Sequence, residues 1–186
     1  MNEGLPKQSL RAALGGEAIS RDRFGPMGLA TTFTGLVLLA AACAKRPAAT
    51  PERQAEVRAR APQVMPFDLA KTHHVFEKLP DGGVQTVSVK DPADTAQIRL
   101  VQNHLREEAA RFARGDFADP MALHGHAMPG LAELKAGAAR IDVAYTDRAD
   151  GGVIRYRAAE PALVAVLHRW FDAQLMDHGA DASGRK

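Results

Sequence analysis

Runs of alternating apolar and polar residues occur twice along this chain, 69 positions apart. The first pair spans 72–77 and 84–90, and the second spans 141–146 and 153–157. Asp81-Gly82-Gly83-Val84, between the first two runs, returns as Asp150-Gly151-Gly152-Val153. A Gly-Gly step between runs of period two is a hairpin signature. In each copy the period then lengthens to that of a helix, after Asp91-Pro92 in the first and Glu160-Pro161 in the second. The first predicted helix, 92–114, carries the stripe Ile98, Val101, Leu105, Ala109, Phe112. The second, 161–178, carries Val164, Leu167, Phe171, Leu175, His178, with the same spacing of 3, 4, 4 and 3. That spacing is one face of an amphipathic helix, and Gly115 and Gly179 stand where each should stop. The pattern predicts an α+β domain over 67–179. Two β-hairpin–helix repeats would form a four-stranded antiparallel sheet with the helices packed on one face. Between the copies fall a polar loop, 116–128, and a short helix, 129–138, with Pro129 at its first position. The last residues, 180–186, have no period and are expected to fray.

Upstream, the one long apolar run is 27–42, preceded by Arg21 and Arg23 and followed by Lys45 and Arg46. A charged region, an apolar stretch and a small-residue exit together make a secretory signal. The run ends at Cys43, the only cysteine of the chain, after Leu38-Leu39-Ala40-Ala41-Ala42. This resembles a bacterial lipobox, which implies acylation of Cys43 and a lipid anchor on the periplasmic side of the cell envelope. The alternative is a single N-terminal transmembrane anchor, although a span needs about 20 apolar residues and this run is shorter. Residues 1–43 thus form an extension with a signal, and 44–66 a Pro/Ala/Arg linker. Its Pro47, Pro51, Pro62 and Pro66 argue for a tether, while Arg53, Arg58 and Arg60 interleaved with Glu52 and Glu56 leave room for a short helix.

A formal charge of +2, with no basic run longer than two residues, gives no support to a nucleic-acid partner. The single cysteine excludes an intramolecular disulfide. Gly-x-Ser-x-Gly, Gly-x-x-x-x-Gly-Lys, His-Glu-x-x-His and Gly-x-Gly-x-x-Gly are all missing from the sequence, so it nominates no catalytic residue. The candidate chemistry lies in seven histidines. Met121-Ala122-Leu123-His124-Gly125-His126-Ala127-Met128 is the most ligand-like segment. In an extended backbone His124 and His126 would point the same way, and imidazole with the thioethers of Met121 and Met128 suits copper, or zinc through the histidines. His74 matches Val143 under the 69-residue offset, which turns it toward the helices. Buried there, its ring needs a polar partner, a metal ion or a pocket. His178 ends the core-facing stripe of the last helix, where a helix C-terminus also favours a cation. His104 and His168 stand beside the two stripes, four residues before Glu108 and Asp172, an arrangement equally at home on a solvated face. These four, with His74 foremost, are candidate ligand-binding residues.

The segments Met65-Pro66-Phe67-Asp68-Leu69, Thr72-His73-His74-Val75-Phe76 and His168-Arg169-Trp170-Phe171-Asp172-Ala173-Gln174-Leu175, with Asp177-His178-Gly179, resemble a family of small bacterial proteins that carry the name aspartate carbamoyltransferase. The resemblance covers 65–178 and implies carbamoyl transfer to aspartate. It transfers no active-site residue, because the chain has no Ser-Thr-Arg run and no His-Pro-x-Gln. Three functions follow as expectations. The first is an exported, membrane-anchored module that binds a transition metal or small ligand through its histidines. The others are a non-catalytic protein-interaction domain and the carbamoyltransferase that the resemblance implies.

Overall fold

A computed structural model describes residues 49–185; the signal-like segment and Cys43 lie outside them. The architecture is α+β. Among the described residues, five α-helices and five strands follow in the order α1 (Pro51–Arg60), β1 (Thr72–Leu79), β2 (Gly82–Val89), α2 (Thr95–Phe112), α3 (Ala118–His124), α4 (Leu131–Gly137), β3 (Ile141–Arg148), β4 (Gly151–Ala158), α5 (Pro161–His178) and β5 (Ala182–Arg185). The strands form one sheet in the order β3-β4-β2-β1-β5.

The sheet is mixed and five-stranded, which corrects the expectation of two repeats on a four-stranded antiparallel sheet. The two hairpins do form and meet through β2 and β4, antiparallel from Gly82↔Arg157 to Ser88↔Gly151. The difference comes from the C-terminus. Residues expected to fray turn through a short 3-10 helix, Gly179–Asp181, and enter the sheet as β5. β5 pairs parallel to β1 from His74↔Ala182 to Glu77↔Arg185, so the backbone groups on the outer side of β1 find partners there.

The glycine pairs make the close β2–β4 contact feasible. Gly82 has φ +144° and Gly151 φ +156°. A Cβ on Gly82 would fall on the Tyr156 carbonyl, and one on Gly151 on the Val87 carbonyl. No side chain fits at either position.

One face of the sheet is apolar and carries Phe76, Val87, Ile154 and Tyr156, all essentially inaccessible. Two long helices cover it crosswise: α2 lies over β3 and β4, and α5 over β1 and β2. The predicted stripes face inward, with Val101, Leu105 and Phe112 of α2 and Leu167 and Phe171 of α5 all buried. Helix α5 spans 161–178 as expected. Helix α2 starts later, because Asp94 rather than the acidic-Pro step caps it, accepting from the Gln97 amide at 3.1 Å.

Two further expectations are corrected. The described part of the stretch 44–66, residues 49–66, is not simply a tether: α1 lies against the domain, with Val57 1% exposed and Ala61 and Met65 in the core. Polar contacts distant in sequence hold it there, Gln54 to the Met176 carbonyl at 2.9 Å and Arg58 to Asp181 at 2.5 Å. Helix α1 therefore belongs to the folded unit, which does not begin at 67. The polar loop 116–128 is likewise largely helix, since α3 occupies 118–124. Among the described residues, no helix is long and apolar enough to cross a membrane.

Candidate functional site

Three elements each bring one histidine to the same place. His74 is on the inward face of β1, His124 is the last residue of α3, and His178 the last of α5. Their exposures are 3, 5 and 5%. The ring centres of His74 and His178 are 5.0 Å apart, and those of His124 and His178 5.2 Å. Phe67 closes one side, 6.0 Å from His74 and 5.5 Å from His104 of α2. The inward orientation of His74 follows from strand alternation, as the match to Val143 predicts. His178 faces inward as the last residue of the α5 stripe.

The outer partners are specific. Asp177 accepts from His124 Nδ1 at 2.8 Å. It also accepts from Arg53 of α1, Nη2 to Oδ2 at 2.7 Å and Nε to Oδ1 at 3.2 Å. Arg53 Nη2 donates in addition to the His124 carbonyl at 2.6 Å. The carboxylate fixes the direction of the His124 ring through Nδ1 and leaves Nε2 as the nitrogen turned away from it. Burial alone would raise the Asp177 carboxyl, but the hydrogen bonds from His124 and Arg53 prevail and hold it at about 2.

The inner atoms have no partners. His74 Nε2, His124 Nε2, His178 Nδ1 and Trp170 Nε1 are all buried without a hydrogen bond. All four residues line one cavity of about 50 Å³, together with Gln85 and Gln174. Burial, then the neighbouring His178, pushes His74 well below the ordinary histidine range. Burial also takes His178 down to about 3 and lowers His104. At neutral pH His74 and His178 are therefore uncharged, with one lone pair available on each ring. The donors are nonetheless not gathered as a ready-made centre: among the described residues no group of three or more His, Cys, Asp or Glu side chains is placed to hold an ion.

Glu108 also lines this cavity, with its side chain 8% exposed. Burial, reinforced by the Asp119 carboxylate, pushes its carboxyl up to about 9. Arg111 lies 3.8 Å from Glu108 but only 2.5 Å from Asp119. Asp119 thus takes the ion pair and Glu108 stays protonated. Its position four residues after His104 is equally at home on a solvated face. Yet Glu108 continues the spacing of Val101 and Leu105 at three residues, and that is the signal by which the sequence marks it as inward.

The remaining candidates disperse. His126 is exposed while His124 is buried, so the helical backbone of α3, closed by Gly125 at φ +82°, keeps the two imidazoles from sharing a direction. Met121 is half-buried against the core, and Met128 is buried within it. His168 is half-buried and donates from Nε2 toward the Leu79 and Gly82 carbonyls at 3.0 and 2.8 Å, which ties α5 to the β1–β2 turn. His104 borders the cavity beside Phe67. Sequence reasoning missed Glu108, Asp177, Arg53 and Trp170. Arg53 and Asp177 are 124 positions apart, and no local pattern joins them.

Compared with known proteins, the chain matches no family model, no curated sequence and no solved structure.

Proposed function

We propose that this chain is an exported binding module, anchored on the periplasmic side of the envelope through its N-terminal segment and Cys43. In this reading its domain holds a transition-metal ion, copper or zinc, with His74, His124 and His178. The observation that carries the proposal is the set of three buried imidazole nitrogens around one cavity, none with a protein partner. An unmet buried polar atom costs about 1–3 kcal/mol, and a ligand that meets several at once recovers that cost. The Asp177–His124 bond is the outer-shell arrangement that orients a metal-bound imidazole. Nitrogens at about 2.0–2.1 Å from a tetrahedral ion set ring centres roughly 5 Å apart, the separation of both neighbouring pairs. Convergence of all three on one ion needs a rotation of His74 or His124.

A second reading, a small polar molecule in the same cavity, draws on Trp170 Nε1. An indole N–H can donate but cannot bind a metal, and it too lacks a partner. Elemental analysis of the natively exported protein, followed by copper and zinc titration, separates the two. Stoichiometric metal, lost on chelation and absent in His124→Ala, is expected. A metal-free protein whose thermal midpoint ignores both ions overturns the metal reading and leaves the polar ligand.

A further inference from the structure

We propose that an open cleft beside the histidine cavity is the mouth through which the cation enters, and that Val64 gates it; this rests on the metal reading above. The cleft has a volume of about 340 Å³ and lies between the turn after α1 and the helices α2 and α3. Cleft and cavity share four side chains: Val64, His104, Glu108 and Asp119. Those four border both spaces.

The lining selects by charge. Arg111, the one guanidinium, makes its shortest contact with Asp119 at 2.5 Å, Glu108 is protonated, and Glu107 leaves the lining with one uncompensated negative charge. An approaching ion meets carboxyl oxygens rather than a free cationic group, which favours cations over anions. His104, half-buried at this border, gives the ion a nitrogen between cleft and cavity. Val64 differs from the other three. It has no polar atom to hold an ion and acts by bulk alone. Its amide donates to the Ala61 carbonyl at 3.1 Å, which fixes its backbone, and its branched side chain has few rotamers. It narrows the passage without contributing a donor.

A side chain that only obstructs a route changes the barrier and leaves the end states alone. Association and dissociation then shift by the same factor while Kd stays put. Trp170 provides the readout, because it is the only tryptophan of the chain and lines the cavity. Copper quenching of its fluorescence is followed by stopped flow on the full exported chain, in wild type, Val64→Phe and Val64→Ala. Val64→Phe should slow association and dissociation together by about tenfold, as an added barrier of about 1.4 kcal/mol would. Val64→Ala should speed both, and Kd should stay within about twofold in each. If Val64→Phe fails to fold, the smaller Val64→Ala variant still decides. Unchanged association in a folded variant, or a changed Kd with unchanged association, overturns the gate while the metal site stands. No quenching in wild type at any copper concentration, with a thermal midpoint that ignores both copper and zinc, removes both.

Discussion

Glu108→Gln should abolish the protein's loss of stability in alkali. In the folded state this carboxyl is buried and protonated, raised from 4.5 to about 9. A group whose pKa rises on folding contributes stability that is complete below the unfolded value and is lost as pH climbs toward the folded one. Between about pH 4.5 and 9 each pH unit therefore removes roughly 1 kcal/mol. His74 and His178 act oppositely. Their values fall on folding, His178 to about 3, so their contribution is complete above the unfolded histidine value, about 6.5, and is lost as pH drops below it. Above about 6.5 Glu108 acts alone, while below it His74 and His178, joined by His104, which burial also lowers, outweigh one carboxyl, so wild type should be most stable near there. Urea unfolding of the metal-free protein in chelator, at intervals from about pH 5.5 to 8.5, measures both limbs. Over the two units above 6.5, wild type should lose about 2–3 kcal/mol and Glu108→Gln almost none. Below 6.5 the variant should fall more steeply, because the opposing carboxyl is gone. The Arg111 guanidinium at 3.8 Å pulls Glu108 the other way and lowers the upper end of this pH window, but it does not reverse the slope. Parallel curves for the two proteins above pH 6.5 would show that Glu108 is already ionised and would refute the reasoning.

Three further perturbations test the frame around the site. His74→Val, which copies Val143, removes a buried nitrogen without a partner; stability should be unchanged or rise by about 1–3 kcal/mol while copper binding is lost, and a clear loss of stability by urea unfolding would reveal a partner for the imidazole. Gly82→Ala forces a Cβ onto the Tyr156 carbonyl at φ +144° and should lower stability by more than about 2 kcal/mol; a thermal midpoint within a degree or two of wild type would show that the β2–β4 contact yields. Arg53→Ala strips Asp177 of its bidentate partner and should cost about 1–3 kcal/mol; Asp177 should then also titrate above its present value of about 2, read by carboxyl NMR, and an unmoved titration would show that His124 alone holds it.

What the sequence displayed, and what it hid, follows from the range of the forces involved. Strand alternation and helical spacing are local, so the hairpins, α5 to the residue, and the inward turn of His74 and His178 are all legible. Helix α1 and strand β5 are not, because neither has a strong apolar pattern of its own. Among the residues of α1, Val57 alone is buried, and its position depends on Arg53, Gln54 and Arg58 reaching residues more than 120 positions away. Strand β5 is Ala-Ser-Gly-Arg, a segment with almost nothing to bury; its conformation comes from the open edge of β1. The site inherits this division. Two of its histidines lie on elements that periodicity reveals, whereas the third lies on α3, where a polar, loop-like composition conceals a helix. The partners that fix His124, Asp177 and Arg53, belong to the end of one helix and to a supposed tether. The same long-range contacts that hide α1 from the sequence join it to the histidines, so removing residues 49–66 as a dispensable linker would remove a wall of the site.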